Sequence, residues 1–320
     1  MRYLWIVLLI LTGCTAKNKP IRIAINAWPG YEQLFLAQEK GFFEEAGLSI
    51  QFIEFGSLGD VQRAFEWGQV NGMACTLIDV IIADYQTNRD PKIVLVTGYP
   101  KEATDVLFAS DYIKNVEDLK GRHIAVEFRS LGMYLLLRAL ESHNMSINDV
   151  ILFPADPTSF PSLFDKGYVD AAVCYPPHSI QLKDRHPELK PLYSSKEITG
   201  EIIDVLALES KLIKENPDIV EKILKVWDRA VKYEREHPDE AVSIMASREN
   251  LTLEEFLTIR QKINVLSLSE QERYFTTPSP LDATSQKTKN LLQDVHIINA
   301  AKCSDNFLHR EAISKVLAEK

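Results

Sequence analysis

Several side chains able to do chemistry stand where a strand hands over to a loop or helix. Between Gly121 and Arg138, Ile124-Ala125-Val126 reads as a short buried strand, Glu127 is a carboxylate at its C-terminal end, and Ser130 holds the N-cap position before Met133-Tyr134-Leu135-Leu136-Leu137. Strand ends of this kind are where ligands bind in open α/β sheets. Trp28 follows the strand Ile21 to Ile25, and Pro29-Gly30 hold it in a loop, where stacking on a ligand and packing in a core both fit it. Tyr175 precedes Pro176-Pro177 and is aimed by a rigid loop, either to stack or donate its hydroxyl, or to serve as a satisfied core tyrosine. Thr76 and Asp79 have the spacing of an N-cap and its third helical residue, so capping is favoured over ligand binding for that pair. Glu127 has three readings: a charge that complements a helix dipole, a partner for nearby Arg129, or a ligand contact. His178, after Tyr175-Pro176-Pro177, reads as a surface or capping residue.

The elements that position these groups come in two echoing sets. Arg22-Ile23-Ala24-Ile25-Asn26-Ala27-Trp28-Pro29-Gly30-Tyr31 is an earlier counterpart of the Glu127 stretch. Glu66-Trp67-Gly68-Gln69-Val70-Asn71-Gly72-Met73-Ala74-Cys75 is matched by Asp165-Lys166-Gly167-Tyr168-Val169-Asp170-Ala171-Ala172-Val173-Cys174. In each, a helix closes on a Gly and a turn leads into a small-residue strand. Strand-like runs at Ser49 to Phe55, Ile93 to Val96, Val106 to Ala109 and Val150 to Phe153 alternate with helical ones, including a helix carrying Val61, Ala64, Phe65 and Trp67, as in a mostly parallel sheet. Two lobes of one plan are expected: 21–109 with 204–320, and 110–203, crossing near Ala109-Ser110 and near Ile203-Asp204. From Pro217 onward the pattern is helical, with Ile219, Ile223, Val226, Trp227 and Ala230 on one face.

Composition bounds the function. The 320 residues suit two domains, and 46% hydrophobic with 25% charged residues is a globular composition. A net charge of −9 argues against nucleic acid as a partner. Cys75, Cys174 and Cys303 lie far apart without a C-x-x-C and read as buried small residues. The seven histidines do not cluster at metal-ligand spacing, and no P-loop, G-x-G-x-x-G, H-E-x-x-H or G-x-S-x-G occurs. The reading is a protein that is not an enzyme, with no metal and no cofactor. At the N-terminus, Arg2, the apolar run Tyr3 to Leu11, and Leu11-Thr12-Gly13-Cys14 resemble the lipobox of bacterial lipoprotein signal peptides. Residues 1–13 are then a signal peptide, Cys14 the lipidated residue, and 14–20 a tether.

Taken with the lipobox and the paired lobes, Trp28-Pro29-Gly30-Tyr31, Leu34-Phe35-Leu36-Ala37 and Gly41-Phe42-Phe43 resemble the solute-binding proteins of bacterial ABC importers, within them the nitrate, sulfonate and taurine group that includes thiamine-pyrimidine-type binders. Lys120-Gly121-Arg122-His123-Ile124-Ala125-Val126 is similar to the group's D-L-K-G-K-x-I-A-V, and Gly167-Tyr168-Val169-Asp170-Ala171 to its G-x-V-D-A. The similarity covers most of residues 20 to 245. It implies a periplasmic-binding-protein type II fold, two α/β lobes joined by a two-strand hinge with a cleft between them. It also implies a monomer on the extracytoplasmic, periplasmic side of a membrane, held there by its lipid anchor, that serves a permease and an ATPase. By position, the pocket would comprise Trp28, Thr76, Asp79, Glu127, Ser130, Leu131, Gly132, Tyr175 and Asp204. The anion-binding members rely on Ser, Thr and backbone N–H groups where this chain has Glu127 and Asp79. A cleft rich in carboxylates and aromatic faces suits a small cationic, amine-bearing or heterocyclic molecule over a sulfonate, taurine or nitrate. The competing readings are a sensor that signals to a membrane receptor and, less favoured, a pyrimidine-synthesis-like enzyme, whose Cys-rich motif is absent.

Overall fold

A computed structural model describes residues 19–319; the signal segment, Cys14 and most of the tether lie outside the described residues. In chain order the first lobe opens with β1 (Ile21–Asn26), α1 (Glu32–Glu39), α2 (Phe42–Glu45), β2 (Ile50–Phe55), α3 (Leu58–Glu66), β3 (Gly72–Thr76), α4 (Leu77–Gln86) and β4 (Pro91–Pro100). The chain continues through β5 (Val106–Ala109), β6 (His123–Val126), α5 (Leu131–Ser142), β7 (Ile151–Pro154), α6 (Phe160–Asp165), β8 (Ala171–Cys174), α7 (His178–Arg185) and β9 (Lys190–Ser194). It closes with β10 (Asp204–Glu209), α8 (Ser210–Glu215), α9 (Ile219–Glu236), α10 (Pro238–Arg248), α11 (Leu253–Arg260), β11 (Ile263–Val265), α12 (Leu268–Phe275), α13 (Pro280–Asp294) and α14 (Glu311–Ala318).

These strands form two sheets, ordered β11-β4-β10-β3-β1-β2 and β7-β6-β8-β5-β9. In the first, β1 runs parallel to β2 and β3, and β10 runs antiparallel between β3 and β4. The second repeats the plan: β6 is parallel to β7 and β8, and β5 is antiparallel between β8 and β9. In each sheet the antiparallel strand is the one that has just arrived from the other lobe. The echoes in the sequence are therefore equivalent positions of two like sheets, with the Trp28 loop after β1 matching the Glu127 loop after β6.

One boundary differs from the expectation. The first crossing runs through 101–105, ahead of β5, and not after Ala109, because Val106 to Ala109 pairs with β8 and β9. A four-residue apolar strand carries no local mark of the sheet it joins. The second crossing, 195–203, is tied to the first: Ser195 Oγ accepts from Thr104 N at 3.0 Å, and Ser195 N donates to the Asp105 carbonyl at 2.9 Å.

Burial follows the patterns. Ile23, Ala24, Ile25, Met73, Ala74 and Cys75 are fully buried in the central strands, as expected of strands covered on both faces. The apolar face of α9 is buried as its periodicity implies, and Trp227 Nε1 donates to the Leu266 carbonyl at 2.7 Å. Gln271 of α12 extends the β4 ladder with its side chain, accepting from Val96 N at 3.0 Å and donating to Val96 O at 2.7 Å. Trp67, read as part of an apolar helix face, is 69% exposed, because α3 ends at Glu66 and the left-handed Gly68 turns the chain away. Cys75 and Cys174 are buried free thiols, whereas Cys303 is partly exposed.

Candidate functional site

The two strand-end loops meet across the lobes. Glu127, at the end of β6, reaches the first turn of α3 in the other lobe, where its Oε1 accepts from Gly59 N at 2.6 Å. Its Oε2 accepts from the Tyr175 hydroxyl at 3.2 Å, and that hydroxyl in turn accepts from Leu58 N at 3.2 Å. Ser57, the N-cap of α3, takes the remaining first-turn amide, Asp60 N, at 3.2 Å. The sequence favours this approach, since a Cβ on Gly59 would stand 3.0 Å from Glu127 Oε1. Burial raises the Glu127 carboxyl to about 7, against the opposing hydrogen bonds from Gly59, Ser57 and Tyr175, with like charge on Asp79 adding to the rise.

A second link joins Asp79 to Ser130. The capping pair forms as its spacing suggests: Asp79 Oδ2 accepts from Thr76 N at 2.9 Å and from Thr76 Oγ1 at 2.6 Å. Asp79 Oδ1 accepts from Ser130 Oγ of the other lobe at 2.7 Å. Ser130 thus occupies the N-cap position of α5 but spends its hydroxyl across the cleft. Burial raises the Asp79 carboxyl, and the Thr76 and Ser130 hydrogen bonds oppose that.

The third acidic group is Asp204, the first residue of β10, paired in register with Thr76. Trp28 Nε1 donates to its Oδ2 at 3.0 Å and the Tyr31 hydroxyl to its Oδ1 at 3.4 Å. Burial, then the neighbouring Asp105 carboxylate, push Asp204 up to about 8. Asp105 itself, buried at the crossing, is raised to about 6 by desolvation. Among the described residues none of these four carboxylates has a Lys, Arg or His ion-pair partner; their neighbours are hydroxyls, amides, an indole N–H and one another.

All nine pocket residues named from the sequence, Trp28, Thr76, Asp79, Glu127, Ser130, Leu131, Gly132, Tyr175 and Asp204, are buried at or beside this junction. Gly132 lies against the Glu127 backbone, where a Cβ would stand 3.3 Å from Glu127 N. Leu131 opens α5 and packs in the core. Arg129 does not pair with Glu127: in a left-handed conformation (φ 59°) it turns to Glu66 of the other lobe, at 3.2 Å. His178 is neither exposed nor a cap; its Nε2 lies 3.1 Å from the Gly56 carbonyl across the lobes. The sequence reading missed Tyr31, Gly59 and Asp105, and only Ser57-Leu58-Gly59-Asp60, a capping signature, carried a local signal. Asn26, at the end of β1, is buried with its Oδ1 unpartnered, an acceptor awaiting a donor.

Hydrogen-bond acceptors and aromatic side chains are gathered between lobes connected by two crossings. No group of His, Cys, Asp and Glu among the described residues is placed to hold a metal ion. A cavity of about 190 Å³ flanks Glu127, lined by Gly59, Gln62, Arg63, Arg129 and Asp156 among others.

Two like α/β lobes meeting at their strand ends define the class, a two-lobed binding fold. Residues 28–241 match the family described as NMT1/THI5 like, and the chain belongs to it. It is 30% identical over 270 residues, 77% of this chain and 76% of the other, to a Bacillus subtilis protein named for the binding of aliphatic sulfonates. Similarity to the riboflavin-binding protein RibY of Chloroflexus aurantiacus is 23% over 265 residues, 75% of each chain. The crystal structure of the periplasmic aliphatic sulphonate binding protein SsuA from Escherichia coli shares the fold with a TM-score of 0.71, at 18% identity over 93% of this chain and 98% of that one.

Proposed function

We propose that this chain is the extracytoplasmic solute-binding component of an ABC importer, without catalytic activity, and that it captures a small amine-bearing or heterocyclic organic molecule between its lobes for delivery to a membrane permease. The observation that carries the ligand class is the set of four buried carboxylates, Asp79, Asp105, Glu127 and Asp204, none of them ion-paired to a Lys, Arg or His among the described residues. Burying such groups is unfavourable unless a cation or donor meets them, and an ammonium or a protonated ring nitrogen would do so. Trp28, Tyr31 and Tyr175, held beside these carboxylates, supply faces that favour a cation. Relatives named for sulfonates and for riboflavin bracket the chemistry, the first anionic and the second a heterocycle. Glu127 weighs against the anion, since it already occupies the α3 amide that would receive one.

Calorimetric titration with a panel of amines, amine-bearing heterocycles, sulfonates and nitrate tests this reading. An amine or cationic heterocycle should bind, and Asp204→Asn should weaken it at least tenfold. Tight binding of nitrate or a simple sulfonate, retained in Glu127→Gln, would refute the ligand class.

A further inference from the structure

We infer that Glu127 is a specificity-determining residue, a built-in carboxyl group that fills the oxyanion-binding position at the N-terminus of α3 and so reserves the cleft for ligands that are not oxyanions. This rests on the proposed binding role of the cleft and names the group that sets its selectivity. The α3 helix has nine residues, and two of its first-turn amides, Leu58 N and Gly59 N, meet the opposite lobe. Each first-turn amide is taken: Leu58 N by the Tyr175 hydroxyl at 3.2 Å, Gly59 N by Glu127 Oε1 at 2.6 Å, and Asp60 N by Ser57 Oγ at 3.2 Å. A carboxylate from residue 127, attached to the other lobe, thus makes the contacts that a free oxyanion would make, one oxygen on a backbone N–H and the other on a tyrosine hydroxyl.

The cavity beside the carboxylate and the unpartnered atoms that line it distinguish the position from a simple helix cap. The carboxylate borders the cavity of about 190 Å³ that also holds Arg63 and Arg129. Among the described residues Gln62, 2% exposed and lining the same cavity, leaves its Oε1 without a partner, an acceptor that suits a donor-bearing ligand and not an oxyanion, and Arg129 leaves the donor Nε without one. Removing the Glu127 side chain would leave Gly59 N, the Tyr175 hydroxyl and two guanidinium groups around a vacated space whose border also carries the Asp156 carboxylate, 3.8 Å from Arg63. Arg63 is held by Asp60 at 2.6 Å and Arg129 by Glu66 at 3.2 Å, so the field there is set by backbone and hydroxyl donors with partly neutralised cations beside them.

Calorimetric titration of the whole protein with methanesulfonate and with nitrate, at a pH near neutrality, tests the inference. Glu127→Ala should bind at least one of them tenfold or more tightly than the parent, and Glu127→Ser should do the same should the Ala variant not fold. Glu127→Gln, which keeps an oxygen on Gly59 N, should gain nothing. Adding Tyr175→Phe to Glu127→Ala should remove most of the gain. No gain in either small-side-chain variant would overturn the inference, as would equal gain in Glu127→Gln. Tight binding of these oxyanions by the parent would overturn the inference and the cationic ligand class together. A gain in Glu127→Ala, with the amine panel silent on the parent, would leave the inference standing and refute the proposed ligand alone.

Discussion

Asp204→Asn should make the protein more stable at neutral pH, and the gain should grow as pH rises. Asp204 is 2% exposed, and its carboxyl sits at about 8 against an ordinary 3.8. A folded-state value raised above the unfolded one contributes stability that is complete below the unfolded value and is lost as pH climbs through the folded value. Between about pH 4 and about pH 8 the folded protein must therefore take up a proton or bury the charge. At ~1.4 kcal/mol per pKa unit, the penalty accumulated by pH 7 is about 4 kcal/mol. Asparagine keeps an oxygen for Trp28 Nε1 and offers its amide to the Tyr31 hydroxyl, while never ionising. About 4 kcal/mol is a ceiling, because any opening of the lobes rehydrates Asp204 and relieves part of the penalty. Urea unfolding of parent and variant at about pH 5 and about pH 7.5 reads the difference directly, with slopes compared to confirm that the unfolding transition is the same. The stability difference should move in favour of Asp204→Asn by more than ~1 kcal/mol between the two pH values. A difference that stays constant with pH would refute the buried-charge reasoning.

Closure should depend on pH in the same sense. Glu127 at about 7 and Asp204 at about 8 both favour the joined lobes when protonated, so small-angle scattering of the ligand-free protein should give a larger radius at about pH 8 than at about pH 5, and a saturating amine ligand should reverse the expansion; an unchanged radius would count against lobe parting. For the anchor, which lies outside the described residues, Cys14→Ser should release the protein from membranes or leave it unprocessed, and fractionation that finds the variant still lipidated and mature would remove the lipobox reading.

The plan of the fold was legible because it repeats. Strand, loop and helix recur around Trp28 and around Glu127, and the Gly-closed helices before Gly72 and Ala171 recur with them, so two like sheets could be read from local patterns. What local pattern could not show was membership and direction. β5 looks like any short apolar strand until β8 and β9 claim it, and β9 and the three-residue β11 are too weak to announce themselves. Glu127 was visible as a strand-end carboxylate, but its partner is a backbone amide 68 positions away, a donor that any residue type would carry. Arg129 shows the opposite failure: two positions from Glu127, it pairs instead with Glu66, because its left-handed backbone turns it toward the other lobe. Asp105 carries no local signal in the sequence and becomes a buried neighbour of Asp204 only once the crossings come together.

The carboxylates are not equivalent, and the differences point to the one with capacity left for a ligand. Asp79 has both oxygens engaged, by Thr76 within its own helix cap and by Ser130 from the other lobe. Glu127 likewise spends one oxygen on Gly59 and the other on Tyr175, so both groups already fasten the lobes together. Asn and Gln could accept similar hydrogen bonds without a charge to bury, so an acid at such positions gains something only where a formal negative charge is used. Asp204 is the least satisfied of the three, with one good bond from Trp28 and a long one of 3.4 Å from Tyr31. Its carboxyl is pushed up to about 8, against about 7 for Glu127, and its two partners are aromatic rings able to flank a cation. A ligand ammonium arriving beside Trp28 and Tyr31 would lower that pKa, release a proton and leave the charge paired. On the binding role proposed above, Asp204 is the carboxylate whose ionisation a cationic ligand would reward, while Asp79 and Glu127 join the two lobes.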